Sequence, residues 1–127
     1  MKTSELTGAA LDWAVAMAEG FGTDQYMRRI DIRLDVRGKC SCLLIPINRE
    51  YVQWHPSTDW VQGGPIIERE KIAAVYRAGE YWLAYTHENY QGRQADAYGP
   101  TPLIAAMRCY VASKLGNEVD IPKELQP

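Results

Sequence analysis

The sequence predicts an α+β fold: a single domain in which an antiparallel sheet is packed by an N-terminal and a C-terminal helix, with a short helix after a central Gly-Gly-Pro loop. Three observations predict it. Apolar residues at helical spacing occupy both ends of the chain and bracket a middle part with two-residue alternation. Gly and Pro between these stretches sit where short turns are needed. The 127 residues are enough for one core and too few for two ordinary ones, so 1–127 is expected to form one domain, with 117–127 as a surface tail.

The first helix is expected from Thr7, a good N-cap residue, to Glu19, with Gly20 ending it. Leu11, Val15 and Ala18 share one face, Trp13 and Met17 lie opposite, and Asp12 and Glu19 form a narrow acidic stripe between. A helix apolar on two sides suits a sandwiched position or a contact with a second copy through Trp13 and Met17. In "RRIDIRLDVRGK" the alternation puts Ile30, Ile32, Leu34 and Val36 on one face and Arg29, Asp31, Arg33, Asp35 and Arg37 on the other. That pattern predicts a half-buried strand with a solvated charged face, followed through Gly38 by a second strand over Cys42 to Ile47.

Pro65, at a favourable first helical position, and the following "IIEREKI" predict the short central helix. "AAVYRAGEYWLAYT" reads as two strands around Ala78-Gly79, and "NYQGRQADAYGPT" as a polar loop. The last helix is expected from Pro102 to Leu115, capped by Thr101 and stopped by Gly116, with Ile104, Met107, Val111 and Leu115 in one stripe.

Composition narrows the function classes. A formal net charge of -2 argues against broad electrostatic attraction to nucleic acid or an anionic membrane. No apolar run approaches the roughly 18 residues of a spanning helix, and "MKTSELTG" lacks the apolar stretch of a secretory signal, so a cytoplasmic protein with reduced thiols is expected. The 3 cysteines, Cys40, Cys42 and Cys109, and the 2 histidines, His55 and His87, form no zinc-ligand spacing. Nucleophile-elbow and phosphate-loop motifs are absent, so no catalytic residue, metal or cofactor is expected. The compositional oddity is aromatic: 8 Tyr and 4 Trp against 1 Phe, rings with a polar handle that suit half-buried and partner-facing surfaces.

The densest cluster of special residues is "WHPSTDWVQGGPII", from Trp54 to Ile67. Ser57, Thr58 and Asp59 are turn formers whose side chains bond nearby amides. Gly63 and Gly64 allow close approach of a neighbour, and amides at the start of the following helix would attract an anion. Trp54 and Trp60 offer ring faces for stacking, and Arg69 offers a charge. Together these residues read either as a site for a small anionic ligand of nucleotide type or as a tight turn pinned by two core tryptophans. Arg108 falls about 40° from Ile104 on the last helix, so its guanidinium is expected half-buried, paired with Asp12 or Glu68 or contacting the ligand.

Three stretches, "MKTSELTGAALDWAVAMAEG", "PSTDWVQGGPIIERE" and "GPTPLIAAMRCYVASKLGNEVDIP", resemble the phage NinX family, accessory proteins of lambdoid and related phages. The resemblance spans both ends and the centre of the chain. It implies a protein made in the cytoplasm of a bacterial host, and it carries no reaction or catalytic residue to transfer. The resulting expectation is a phage accessory protein that binds a small anionic ligand without catalysis, through Trp54, Ser57, Thr58, Asp59, Trp60, Gly63, Gly64, Arg69 and Arg108, and so sequesters a host defence signal. The alternative is an inhibitor or adaptor that binds a bacterial host protein through its surplus of Tyr and Trp. An enzyme using His55, Asp59 and Glu68 as acid and base ranks third.

Overall fold

The two ends of the chain form the centre of the molecule. In the computed structural model, which describes residues 1–22, 28–87 and 94–127, helix α1 (Gly8–Ala18) packs on helix α3 (Pro102–Leu115). The strands form two antiparallel meanders of three strands each. The first, β1 (Asp31–Leu34), β2 (Cys40–Ile47) and β3 (Glu50–Gln53), reaches α1 through β2. The second, β4 (Ala73–Arg77), β5 (Tyr81–Tyr85) and β6 (Asp96–Gly99), packs along α3, and helix α2 (Trp60–Glu70) joins the two. The domain is thus α+β, with its sheet divided into two pieces.

This placement explains the two-sided helices. Held between β2 and α3, α1 buries Ala10, Leu11, Asp12, Ala14, Val15 and Ala16, while Trp13 packs half-buried against the same core. Helix α3 starts as its sequence predicts, with Thr101 Oγ1 accepting the Ile104 amide at 3.1 Å and Pro102 in the first turn. It buries more than one stripe, including Leu103, Ala106, Cys109 and Tyr110, because it meets α1, α2 and the second sheet at once.

Several elements differ from the sequence expectation, each for a local reason. Strand β1 stops at Leu34 because the Asp35 carboxylate accepts the amides of Arg37 and Lys39 at 2.8 and 3.1 Å, which folds the chain into a turn. Val36, expected inside, is fully exposed there. Two strands lie where none is expected: Glu50–Gln53, to which no element is assigned, pairs with β2, and Asp96–Gly99, inside the expected polar loop, pairs with β5. The earlier part of that expected loop, residues 89–93, lies outside the described residues.

Helix α2 begins at Trp60, so Gly63, Gly64 and Pro65 are inside the helix and not in a loop before it. Asp59 supplies the cap, its Oδ1 accepting the Val61 amide at 2.9 Å, and this sets the start ahead of the proline. Pro65 leaves the Val61 carbonyl without its helical donor, a cost reduced by the exposure of both residues to water. The final segment is tied down: Met1 and Val119 exchange hydrogen bonds of 2.9 Å, and Ile121 and Leu125 are buried in the core.

In the second sheet, residues paired across strands share a face. Ala74, Ala84 and Ala97 are in register and, with Gly99, form the side against α3, where a side chain at Gly99 would lie 2.7 Å from the Ala105 amide nitrogen. The opposite side carries the row Val75, Leu83 and Tyr98, flanked by Tyr81 and Tyr85.

Candidate functional site

The loop ahead of α2 is built around α1. The Trp54 indole N–H donates to the Asp12 carbonyl at 3.0 Å, and the Ser57 amide donates to the Asp12 carboxylate at 2.8 Å. Burial pushes the Asp12 carboxyl up to about 6, against the opposing effect of its hydrogen bonding with Ser57. The Ser57 hydroxyl is fully buried and, among the described residues, has no partner at hydrogen-bond geometry. On the outer side, Thr58 closes a turn onto the His55 carbonyl, and Asp59 Oδ2 lies 3.7 Å from His55 Nδ1.

Gln62 completes the loop. Its side-chain carbonyl accepts the His55 amide at 2.7 Å and its NH2 donates to the Gln53 carbonyl at 2.6 Å. One side-chain amide thereby does for the end of β3 what a neighbouring strand would do. Nothing in the sequence marks Gln62 for this role, whereas an acid inside the apolar α1 pattern is a signal that Asp12 is buried with a partner.

The residues expected to form an anion site are distributed among different tasks. Trp54, 8% exposed, is core, while Trp60, 55% exposed, lies over the helix surface beside Gly64. The Gln62 and Gly63 amides donate to the Asp59 carbonyl, so the first turn of α2 is satisfied by its own cap. Gly63 serves packing: a Cβ there would stand 2.5 Å from the Pro56 carbonyl oxygen and 2.6 Å from Leu103 Cδ1.

Arg69, at the far end of α2, donates to both carboxylate oxygens of Glu19 at 3.1 and 3.0 Å, to Glu70 at 2.9 Å and to the Tyr110 hydroxyl at 3.2 Å. Glu70 in turn meets Lys114 at 3.1 Å. This network joins α1, α2 and α3, and it holds Arg69 charged, first through Glu70 and then through Glu19.

Arg108 belongs to a different part of the molecule. Its Nε donates to the Leu6 carbonyl and its Nη1 to the Tyr98 carbonyl, each at 2.8 Å, in place of the expected pairing with Asp12 or Glu68. Burial lowers its pKa, and no carboxylate lies within ion-pair distance among the described residues. The loop residues Trp54 to Gly64 do not line the cleft to which Arg108 contributes.

The other prominent surface is the outer side of the second sheet. Tyr98 and Tyr81, 54% and 40% exposed, meet edge to face at 5.3 Å between ring centres, beside half-buried Leu83 and Val75. At the sheet margin Tyr76 and Trp82 form a second edge-to-face pair at 5.4 Å.

A family model described as Bacteriophage P22, NinX matches residues 2–114. The chain belongs to the NinX family. The match runs from Lys2, ahead of α1 in this NinX family member, through the last turn of α3 and takes in both sheets. No curated protein matches the chain. Among the described residues, no helix is long and apolar enough to cross a membrane, and no three His, Cys, Asp or Glu side chains are grouped as metal ligands.

Proposed function

We propose that this NinX family member is a non-catalytic phage accessory protein that binds a bacterial host protein through the outer face of the β4-β5-β6 sheet. The observation that carries this reading is the exposed Tyr81–Tyr98 pair set in an apolar row with Leu83 and Val75. Tyrosines held in place by their neighbours contribute contact area with little loss of side-chain freedom, and they are enriched where binding energy concentrates. Membership of a phage family supports a bacterial partner. A nucleotide pocket at Trp54–Gly64 has less to draw on, since Trp54 is core, the glycines are helical and Arg69 is spent on Glu19 and Glu70.

The experiment is affinity purification of the full chain from its bacterial host, with each captured protein rebuilt as a purified pair. A Tyr81→Ser/Tyr98→Ser variant should remain folded, its melting temperature lowered only by loss of the ring pair, and should weaken the complex by about 2 kcal/mol or more, roughly thirtyfold. Unchanged affinity in that variant would overturn the surface assignment. A wild-type chain that captures no host protein but binds one member of a nucleotide panel would return the reading to the anionic ligand.

A further inference from the structure

We propose that the cleft between the two chain ends and the β6–α3 junction binds a small zwitterion of α-amino-acid type, its carboxylate on Arg108 and its ammonium group toward Asp96 and Glu118. The cleft measures about 200 Å³ and is lined by Lys2, Thr3, Ser4, Asp96, Arg108 and Glu118, with Ala97, Ala112 and Asn117 completing it. That is below the roughly 300 Å³ at which drug-sized ligand pockets begin, and it is of a size for a small molecule such as an amino acid.

Arg108 is the anchor. Two backbone carbonyls, from Leu6 and Tyr98, fix its Nε and Nη1, and they leave one N–H of Nη1 and both of Nη2 without a partner among the described residues. A half-buried guanidinium with carbonyl partners and, among the described residues, no counter-ion has given up part of its hydration without the compensation a carboxylate supplies. Because its orientation is already set, an arriving carboxylate forms charge-assisted hydrogen bonds with little further ordering of the side chain.

The opposite wall is also built. Thr3 donates from its amide to the Asn117 carbonyl at 2.8 Å and from its hydroxyl to the Gly116 carbonyl at 2.7 Å, and Lys2 bridges Glu118 in antiparallel fashion. The formal charges of Lys2 and Arg108 cancel those of Asp96 and Glu118 along the lining. A bare dianion such as phosphate would meet two carboxylates, whereas a net-neutral ligand with separated charges matches both signs. The site and the aromatic face share strand β6 but use different groups of it: the Tyr98 carbonyl, not its ring, holds Arg108.

The test is an NMR titration of the full chain with four probes: L-alanine, acetate, methylammonium and inorganic phosphate. L-Alanine should give saturable shifts at Arg108 Nε and the Ala97 amide in the millimolar range, with acetate weaker by about tenfold and phosphate not saturating. Asp96→Asn/Glu118→Gln should weaken alanine by about tenfold and leave acetate no weaker, since the charges that repel an anion are gone, while Arg108→Gln should abolish both. If Arg108→Gln fails to fold, the double variant decides alone. The proposal fails if no probe saturates, if acetate or phosphate binds as tightly as alanine, or if the double variant binds alanine like wild type.

Discussion

The Asp12 carboxylate on α1 accepts the amide of Ser57 at 2.8 Å across a sequence separation of 45. This single contact docks the loop that precedes α2 onto the helix at the centre of the molecule. It also places a charge where water is excluded, and the Asp12 carboxyl is pushed up to about 6. Structure and electrostatics therefore oppose each other at one residue, and the opposition is measurable.

Asp12 makes stability depend on pH with a defined sign. Its folded value of about 6 lies above the unfolded 3.8, so the native state binds the extra proton between them. The contribution is fully present below pH 3.8 and is lost as pH rises through about 6, an effect on the order of 2 to 3 kcal/mol. Asp12→Asn keeps an acceptor for Ser57 and removes the charge, so it should match or exceed wild-type stability at pH 7. Asp12→Ala orphans the Ser57 amide and should cost about 1 to 3 kcal/mol. Urea denaturation of the three proteins from pH 4 to pH 8 checks this, and wild-type and Asp12→Asn curves with the same pH slope would contradict it.

Ser57 carries a hydroxyl that is buried without a partner among the described residues, so its removal should not weaken the fold. Ser57→Ala is expected to leave stability unchanged or raise it by up to about 1 kcal/mol, because no hydrogen bond is lost. A loss of more than about 1 kcal/mol would show instead that the hydroxyl bonds to Asp12 in solution.

The two tryptophans of the loop, equivalent in the sequence, should behave oppositely. Trp54→Ala empties a core site and removes the bond to the Asp12 carbonyl, and should destabilise by about 3 to 5 kcal/mol. Trp60→Ala, at the exposed start of α2, should change stability by no more than about 1 kcal/mol. Chemical denaturation followed by far-UV circular dichroism compares them directly, and similar losses in both would place Trp60 in the core.

Gln62 should tolerate no change in its hydrogen-bonding pattern. Gln62→Glu retains an acceptor for the His55 amide but turns a second acceptor toward the Gln53 carbonyl, where the donor at 2.6 Å had been. A loss of about 1 to 3 kcal/mol above pH 6, recovered in part when the new carboxyl is protonated, is expected from equilibrium unfolding. Equal stability at pH 5 and pH 8 would argue against the bridging role.

The parts of the fold legible in the sequence are those governed by local rules. Thr101, Pro102 and Gly116 bound α3 because capping depends on neighbours within a turn. The alternation in "RRIDIRLDVRGK" marked β1, but its end was set by Asp35, whose side chain competes with the strand ladder for nearby amides. Strands β3 and β6 were hidden because their edges are polar and their pairing is decided by β2 and β5, not by their own composition. The loop was conspicuous for its Trp, Gly and Pro, yet those residue types do not say which ring is buried. That depends on α1 and α3, distant in sequence, as does the choice of backbone carbonyls over an acid for Arg108.

The adjacent glycines of α2 provide the sharpest separation between packing and propensity. A methyl at Gly63 would press against the Pro56 carbonyl oxygen at 2.5 Å and Leu103 at 2.6 Å. The first of these is backbone and cannot step aside, so α2 must move away from the loop at Pro56. Gly63→Ala should therefore cost about 1 to 3 kcal/mol despite the better helix propensity of alanine. At Gly64 the nearest atom to a new methyl is Trp60 Cε3 at 4.0 Å, and the backbone is helical. Gly64→Ala should gain about 0.5 to 1 kcal/mol by lowering the entropy of the unfolded chain and adding contact with the indole. Thermal and urea unfolding of the two variants, read against wild type, should give shifts of opposite sign. If both destabilise, the Gly-Gly pair is a loop element after all and α2 starts at Pro65; if both stabilise, α2 does not approach Pro56 and Leu103 as closely as the structure shows.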